Sequence, residues 1–184
     1  MKLTGSYKIP TDIQTVWQAL NDPRTLQKCI PGCEEFKKNS DTSFTATATN
    51  KIGPFNASFN GNVELQDLNP PNSYTLVGQG NSPVGFASGE AKVNLIEKDG
   101  ETILTYNVEA NVGGKIAQVG SRLIDMTAKK MADIFFGNFS SVVSPDSAIV
   151  SNKKNINLFV KLNKKLFYAL FTLLILGLIV LFAY

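Results

Sequence analysis

The chain of 184 residues contains no histidine, and that removes most familiar site chemistry at once. Neither a Ser-His-Asp nor a Cys-His nucleophile can be assembled, and the usual acid–base of neutral pH is missing. Two cysteines, Cys29 and Cys33, flank Ile30-Pro31-Gly32. Two sulfurs fall short of the four ligands of a structural zinc site. The leading expectation is two packed thiols around a Pro-Gly turn, with no metal and no cofactor; the alternative is a redox or metal role. Gly78-Gln79-Gly80 reads as a strand bend rather than a phosphate cradle, and there is no Walker loop or dinucleotide motif. Asp125 stands three residues after Arg122 and four before Lys129. That spacing favours surface ion pairing, and a general-acid role requires that it face a cavity. Tyr106 alternates with Leu104, Val108 and Ala110, which puts its hydroxyl on an apolar face, to bond either a ligand carbonyl or a backbone group. No catalytic set emerges.

An apolar lining is the stronger signal. Phe59, Leu76, Ala91, Val93, Tyr106 and Val108 alternate along successive strand-like runs. Val119, Leu123, Thr127 and Met131 recur at helical spacing opposite them. Small residues (Ala57, Gly61, Gly78, Ala110) thin the lining. The segment 81–89, with Val84 and Phe86 set among Gly, Ser and Pro, reads as a mobile apolar lip or a buried turn. These residues are the candidate ligand site.

The elements that must position them follow from periodicity. Residues 2–9 form a first strand, closed by Pro10. Thr11 or Asp12 caps a helix with Ile13, Val16, Trp17 and Leu20 on one face. Asn21-Asp22-Pro23 stops it, and a shorter turn runs from Arg24 to Ile30. Strands are predicted over 44–49, 55–65, 74–80, 87–97 and 102–112, the last two joined through the hairpin signal Asp99-Gly100. After Gly113-Gly114 an amphipathic helix of about 25 residues carries Ile116, Val119, Leu123, Thr127, Met131, Ile134 and Phe135, and must pack on the sheet. The predicted class is α+β, a curved antiparallel sheet of about six strands gripping a long helix.

The last nineteen residues, Leu166 to Tyr184, carry no charge. As a helix they span roughly 28 Å, close to the hydrocarbon thickness of a bilayer. Residues 1–140 hold 13 Lys and Arg against 14 Asp and Glu, whereas residues 141–184 hold five Lys against one Asp. The basic surplus thus flanks the apolar run, as the positive-inside rule favours. The organisation expected is a ligand-binding domain (1–140), a linker (141–160) and a transmembrane anchor with a basic flank (161–184). No secretory signal is read at the N-terminus, so the expected location is the cell membrane, with a single-pass C-terminal anchor and a cytoplasmic domain. With no basic stripe on the domain, nucleic acid is not an expected partner.

Ala19-Leu20-Asn21-Asp22-Pro23, Cys29-Ile30-Pro31-Gly32-Cys33, Lys51-Ile52-Gly53-Pro54-Phe55, Ser88-Gly89-Glu90-Ala91 and the stretch from Gly113 to Asp125 closely resemble the G-subunit family of carbon monoxide dehydrogenase. The resemblance covers residues 1 to about 140, and the two longer motifs are specific. It implies the helix-grip fold of START lipid-transfer domains and polyketide cyclases. It also implies a non-catalytic partner of molybdenum-containing carbon monoxide dehydrogenase or a related molybdenum hydroxylase, linking it to the membrane and its quinone pool. The leading expectation is a membrane-tethered carrier of a hydrophobic ligand, an isoprenoid quinone above all, with no cofactor beyond such a bound quinone or lipid. The alternatives are a docking platform with a packed interior and, last, a cyclase-type enzyme.

Overall fold

The computed structural model describes residues 1–144. The N-terminal strand β1 (Lys2–Ile9) is followed by two helices, α1 (Ile13–Leu20) and α2 (Pro23–Cys29). Six further strands come next: β2 (Cys33–Lys38), β3 (Ser43–Ile52), β4 (Phe55–Asn69), β5 (Ser73–Ser82), β6 (Gly85–Lys98) and β7 (Glu101–Gly113). A short 3₁₀ turn (Lys115–Val119) leads into the long helix α3 (Ser121–Val143).

Local chemistry explains the helix starts. Asp12 accepts the amide of Thr15 at 2.9 Å, and Asp22 accepts that of Thr25 at 2.9 Å with Pro23 in the first turn. Each satisfies an amide that the new helix leaves without a partner. The carboxylate of Glu97, from β6, takes the amide of Ile13 at 3.1 Å and so docks the start of α1 on the sheet.

All seven strands form one antiparallel sheet in the order β1-β7-β6-β5-β4-β3-β2. Asp99 and Gly100 both sit at positive φ, as the tight β6–β7 hairpin requires. Alternation puts one side chain of each pair on the concave face. Across the middle of the sheet that face carries Leu65, Leu76, Ala91, Val108 and Leu3 in register. The next row is Val63, Gly78, Gly89 and Ala110. At Gly89 an added Cβ would meet Ala110 Cα at 2.7 Å, and at Gly61 it would meet the Gln79 carbonyl at 2.8 Å. The backbones approach this closely because the sheet coils sharply there, and only glycine fits. The core under α1, α2 and the C-terminal half of α3 includes Ile9, Val16, Leu20, Cys29, Leu104 and Phe139.

Three expectations change. The sheet has a seventh strand, β2, whose single apolar residue facing inward, Phe36, is masked in the sequence by Glu34, Glu35, Lys37 and Lys38. The helix expected from 115 onward breaks at Gly120, whose φ of 91° an L side chain rarely adopts. Residues 141–143, placed in the linker by sequence, form the end of α3, and Ser144 is buried with its hydroxyl donating to the Pro10 carbonyl at 3.1 Å. The expected remainder of the linker (145–160) and the anchor (161–184) lie outside the described residues. Among the described residues no helix is long and apolar enough to cross a membrane.

Candidate functional site

Between the concave face of the sheet and the helices lies a cavity of about 420 Å³. Its floor is the row Leu65, Leu76, Ala91, Val108 and Leu3 together with Tyr74, Val93 and Tyr106. Met131, Ala132, Phe135 and Phe136 of α3 cover it from above. Leu20, Leu26, Ile30 and Pro31, from α1, α2 and the turn after it, close one side. Phe36, Phe44 and Asn50 complete the wall along β2 and β3.

The polar groups are few and specific. Tyr74 is almost fully buried, edge-on to Trp17 with ring centroids 5.6 Å apart. Burial alone holds its phenol well above the ordinary tyrosine range, so it stays a neutral donor at physiological pH. The ring of Tyr106 rests over Gly5, where an added Cβ would lie 2.5 Å from Cζ. Glycine at that point of β1 is what lets the Tyr106 side chain lie flat along the floor. Phe136 stacks on Tyr7 with centroids 4.1 Å apart, and Tyr106 lies 5.8 Å from Phe136 in a nearly parallel plane. The Tyr7 hydroxyl donates to Asp133 at 2.6 Å, tying β1 to α3 over this aromatic stack. Asn50 donates its amide to the Pro31 carbonyl at 3.1 Å, which leaves its side-chain oxygen as an acceptor. The Tyr74 hydroxyl makes no hydrogen bond to a protein group among the described residues, and the Tyr106 hydroxyl lies near that of Tyr7. Two phenol donors in an apolar chamber can bind carbonyl oxygens of a largely hydrophobic molecule.

Of the eleven residues singled out by sequence, Leu76, Ala91, Val93, Tyr106, Val108 and Met131 line this cavity. Five do not. Phe59 is on the concave face of β4 but lies beyond Val63, toward the β3–β4 turn. Leu123 and Val119 pack against that turn, with Leu123 Cδ2 3.0 Å and Val119 Cγ1 3.4 Å from where a Gly53 Cβ would stand. Thr127 returns its hydroxyl to the Leu123 carbonyl at 2.8 Å. Phe86 belongs to the alternate set of β6 that includes Ser88 and Glu90, so it lies on the convex face, over Gly113. The lip at 81–89 is a hairpin turn, Ser82–Gly85, whose Val84 carbonyl accepts the Ile116 amide at 3.0 Å.

Leu3, Phe36, Phe44, Asn50 and Phe136 also line the cavity and stand outside the candidate set, as does Phe135, which helical spacing already turns toward the sheet. The two adjacent phenylalanines at 135 and 136 carried a signal that was available, since both fall on the inward stripe of α3. Among the described residues Asp125 makes no ion pair, contrary to the expectation from spacing. It shares the stripe of Ala132 and Phe136, and its Oδ1 is shielded from solvent with no donor. Cys29 and Cys33 are free, the first buried, and burial pushes both thiols up from the usual range. Cys29 packs in the core, and the half-buried Cys33 donates its thiol to the Glu35 carbonyl at 3.4 Å. Among the described residues no three His, Cys, Asp or Glu side chains converge as a metal site would need. A second hollow, about 430 Å³ on the convex face, is lined by Glu64, Glu90, Glu109, Asn62 and Gln79 and is unsuited to an apolar ligand.

Known proteins share this geometry. The family model for the G-subunit of carbon monoxide dehydrogenase (CoxG) matches residues 5–144. A conserved protein from Geobacillus kaustophilus is 29% identical, with a TM-score of 0.75 over 79% of this chain and 96% of that one. The protein Ms6760 from Mycobacterium smegmatis is 18% identical, with a TM-score of 0.58 over 78% of this chain and 90% of that one. The Zhui aromatase/cyclase from Streptomyces sp. R1128 is 9% identical and shares the fold at a TM-score of 0.57, over 78% of this chain and 93% of that one. No curated protein matches the sequence. The fold is thus the helix-grip, START-like arrangement, a seven-stranded curved sheet closed by a C-terminal helix.

Proposed function

The chain belongs to the CoxG family, the G-subunit family of carbon monoxide dehydrogenase, and on that premise we propose that it is a membrane-tethered, non-catalytic carrier of a hydrophobic ligand, most simply an isoprenoid quinone. One observation carries the proposal: the space between sheet and helices is an apolar chamber of about 420 Å³ rather than a packed core. Its volume lies within the range of about 300–1,000 Å³ typical of small-molecule sites. The hydroxyls of Tyr74 and Tyr106 supply donors for quinone carbonyls, and the aliphatic floor with Phe135 and Phe136 suits the ring and the first part of a branched chain. The charge-free run 166–184 and its basic flank would keep the domain beside the bilayer in which such a ligand dissolves. From there the domain would present the ligand to a molybdenum-containing carbon monoxide dehydrogenase or a related hydroxylase.

The test is a solvent extract of the purified full-length protein from a quinone-producing host, read by mass spectrometry. A quinone at near-stoichiometric level, lost when Tyr106 and Ala91 are replaced by Leu and Phe, supports the carrier. A lipid-free extract, with the enzyme still recruited to membranes by the chain, replaces it with the docking platform.

A further inference from the structure

One end of the sheet carries cations and no carboxylate, whereas the other carries both signs. At one end lie the β3–β4 turn, the β5–β6 turn and the segment from the end of β7 into the start of α3. Residues 50–60, 79–89 and 110–124 supply that end, and they include Lys51, Lys115 and Arg122 but no Asp or Glu. All three cations are exposed, and none forms an ion pair among the described residues. The nearby carboxylate in sequence, Asp125, turns its Oδ1 away from solvent. At the other end, the β2–β3, β4–β5 and β6–β7 connections and their flanks carry both signs: Asp41, Asp67, Glu97, Asp99 and Glu101 stand among Lys8, Lys37, Lys38 and Lys98, and Lys38–Asp41 and Lys8–Glu101 form ion pairs.

Contacts knit the cationic end into one rim. Gly53 of the first turn sits against Leu123 and Val119. At Gly85 of the second turn an added Cβ would lie 2.8 Å from Ile116, and at Gly114 it would lie 2.6 Å from the Gly85 Cα. Apolar groups stand out from the same rim: Phe86 is 42% exposed and Met126 60%, and Pro54 and Pro83 cap the two turns. Cations interspersed with exposed aromatic and aliphatic groups, and no competing acid, are the surface chemistry of a protein resting on anionic lipid.

We propose that this rim (Lys51, Lys115 and Arg122 around the Pro83–Phe86 turn) is the face that seats on an anionic lipid surface. Charge complementarity points to such a surface, and so does the lipid-compatible composition of residues 166–184. The orientation rests on the reading of the chain as a membrane-side carrier. It places the end of mixed charge toward the aqueous phase. It also puts Phe59, Leu123 and Thr127 between the bilayer and the cavity, along the concave face of β4 and the N-terminal half of α3. Each cation near an anionic leaflet contributes about fivefold to surface affinity, so the three together contribute about a hundredfold.

The experiment uses the full chain with Cys33→Ser and a single reporter cysteine, labelled with an environment-sensitive fluorophore at Pro83→Cys or, as the control, at Asp99→Cys. It is mixed with vesicles of brominated phosphatidylcholine, with or without a quarter phosphatidylglycerol. The result expected is strong quenching at position 83 on the anionic vesicles and little at 99. Quenching at 83 should weaken in 1 M salt, where the screening length is about 3 Å, and in the Lys51→Glu, Lys115→Glu, Arg122→Glu variant. The salt titration needs no change to the rim's charges, so the proposal does not depend on that variant folding. Absent quenching at 83, equal quenching at 83 and 99, or quenching indifferent to salt overturns the proposal. Quinone extracted from the same preparation keeps the two claims separate: ligand present with 83 unquenched sinks the orientation alone, and ligand absent with 83 quenched sinks the carrier alone.

Discussion

Replacing Val108 by Phe distinguishes a chamber from a core. Val108 lies in the middle of the cavity floor, in register with Ala91 on one side and Leu3 on the other. The substitution adds four carbons, roughly 50 Å³, to a space of about 420 Å³. Volume removed from a cavity is worth about 24 cal/mol per Å³, or about 1.2 kcal/mol in favour of the variant. Rotamer adjustment against Tyr106 and Phe136 opposes part of that gain. In a filled core the same change costs about 1–3 kcal/mol. For a domain of this size 1 kcal/mol moves the melting temperature by about 3–5 °C. The expected outcome is a melting temperature unchanged or raised by up to about 4 °C, with ligand occupancy falling several-fold by extraction and mass spectrometry. Calorimetry on the delipidated protein keeps the two effects apart, because a bound ligand stabilises the native protein by mass action. A fall of about 5 °C or more with occupancy unchanged would refute the reasoning, since it would mean the space is filled by the protein itself.

Further outcomes can be checked in the same preparations. Gly5→Ala should destabilise by about 1–3 kcal/mol because its methyl group collides with the Tyr106 ring, and Tyr106→Leu in the same chain should restore most of the loss in denaturant titration. Phe139→Ala, at a fully buried site under α3, should cost about 3–5 kcal/mol; a loss under about 1 kcal/mol would show that α3 is not held there. Burial raises the Tyr74 phenol and, with Asp133 and Tyr106 adding to it, the Tyr7 phenol from 10.0, and burial raises the Cys29 thiol from 9.0. The folded state therefore holds these protons more tightly, so stability is full below about pH 9 and declines as pH rises through about 10 and beyond. Asp12 and Asp22 are depressed below 3.8 by their Thr15 and Thr25 hydrogen bonds, and their contribution is lost as pH falls below that value. A melting temperature that climbs above about pH 10 would contradict the first sign. Disulfide-exchange reagents at neutral pH should modify Cys33 slowly and Cys29 only on unfolding, and fast stoichiometric loss of the Cys29 thiol would overturn its assignment as a packed group.

The strands were legible because alternation survives in them: 55–65, 87–97 and 102–112 fall inside β4, β6 and β7, and Asp99-Gly100 marked its hairpin. β2 was hidden because a strand at the sheet edge with four charged neighbours around Phe36 has no periodic signature. The site was half legible for a related reason. Period-two reasoning fixes which face a residue occupies, and it found the floor. It does not say how far along the strand the chamber extends, so Phe59 was included although the chamber ends at Val63. Phe86 differs in face because β6 begins at Gly85, two residues before the predicted start, so its parity with Ser88 and Glu90 puts it on the convex side. Helical spacing taken as unbroken from 115 gives Val119 and Leu123 the same standing as Met131, whereas the residues over the chamber come two turns later. Asp125 looked like a surface partner by spacing, yet it falls on the helix face that looks inward.

The two edge strands of the sheet have opposite histories. β2 to β7 each pair with the strand that precedes or follows them, so every hairpin can close as soon as its second arm leaves the ribosome. β1 cannot, because its only neighbour is β7, and Lys2 must wait for Glu109. During synthesis the first strand, with Leu3, Tyr7 and Ile9 on one side, stays without a partner while nearly the whole sheet is built. Closing so long a loop late is the slow step in chains of high contact order, and unpaired apolar strands invite aggregation. Tyr7 and Gly5, which secure α3 and Tyr106, belong to this last-arriving strand. The chamber is thus completed only once β7 and then α3 have been made, and a nascent chain halted before β7 would hold a sheet without a binding site.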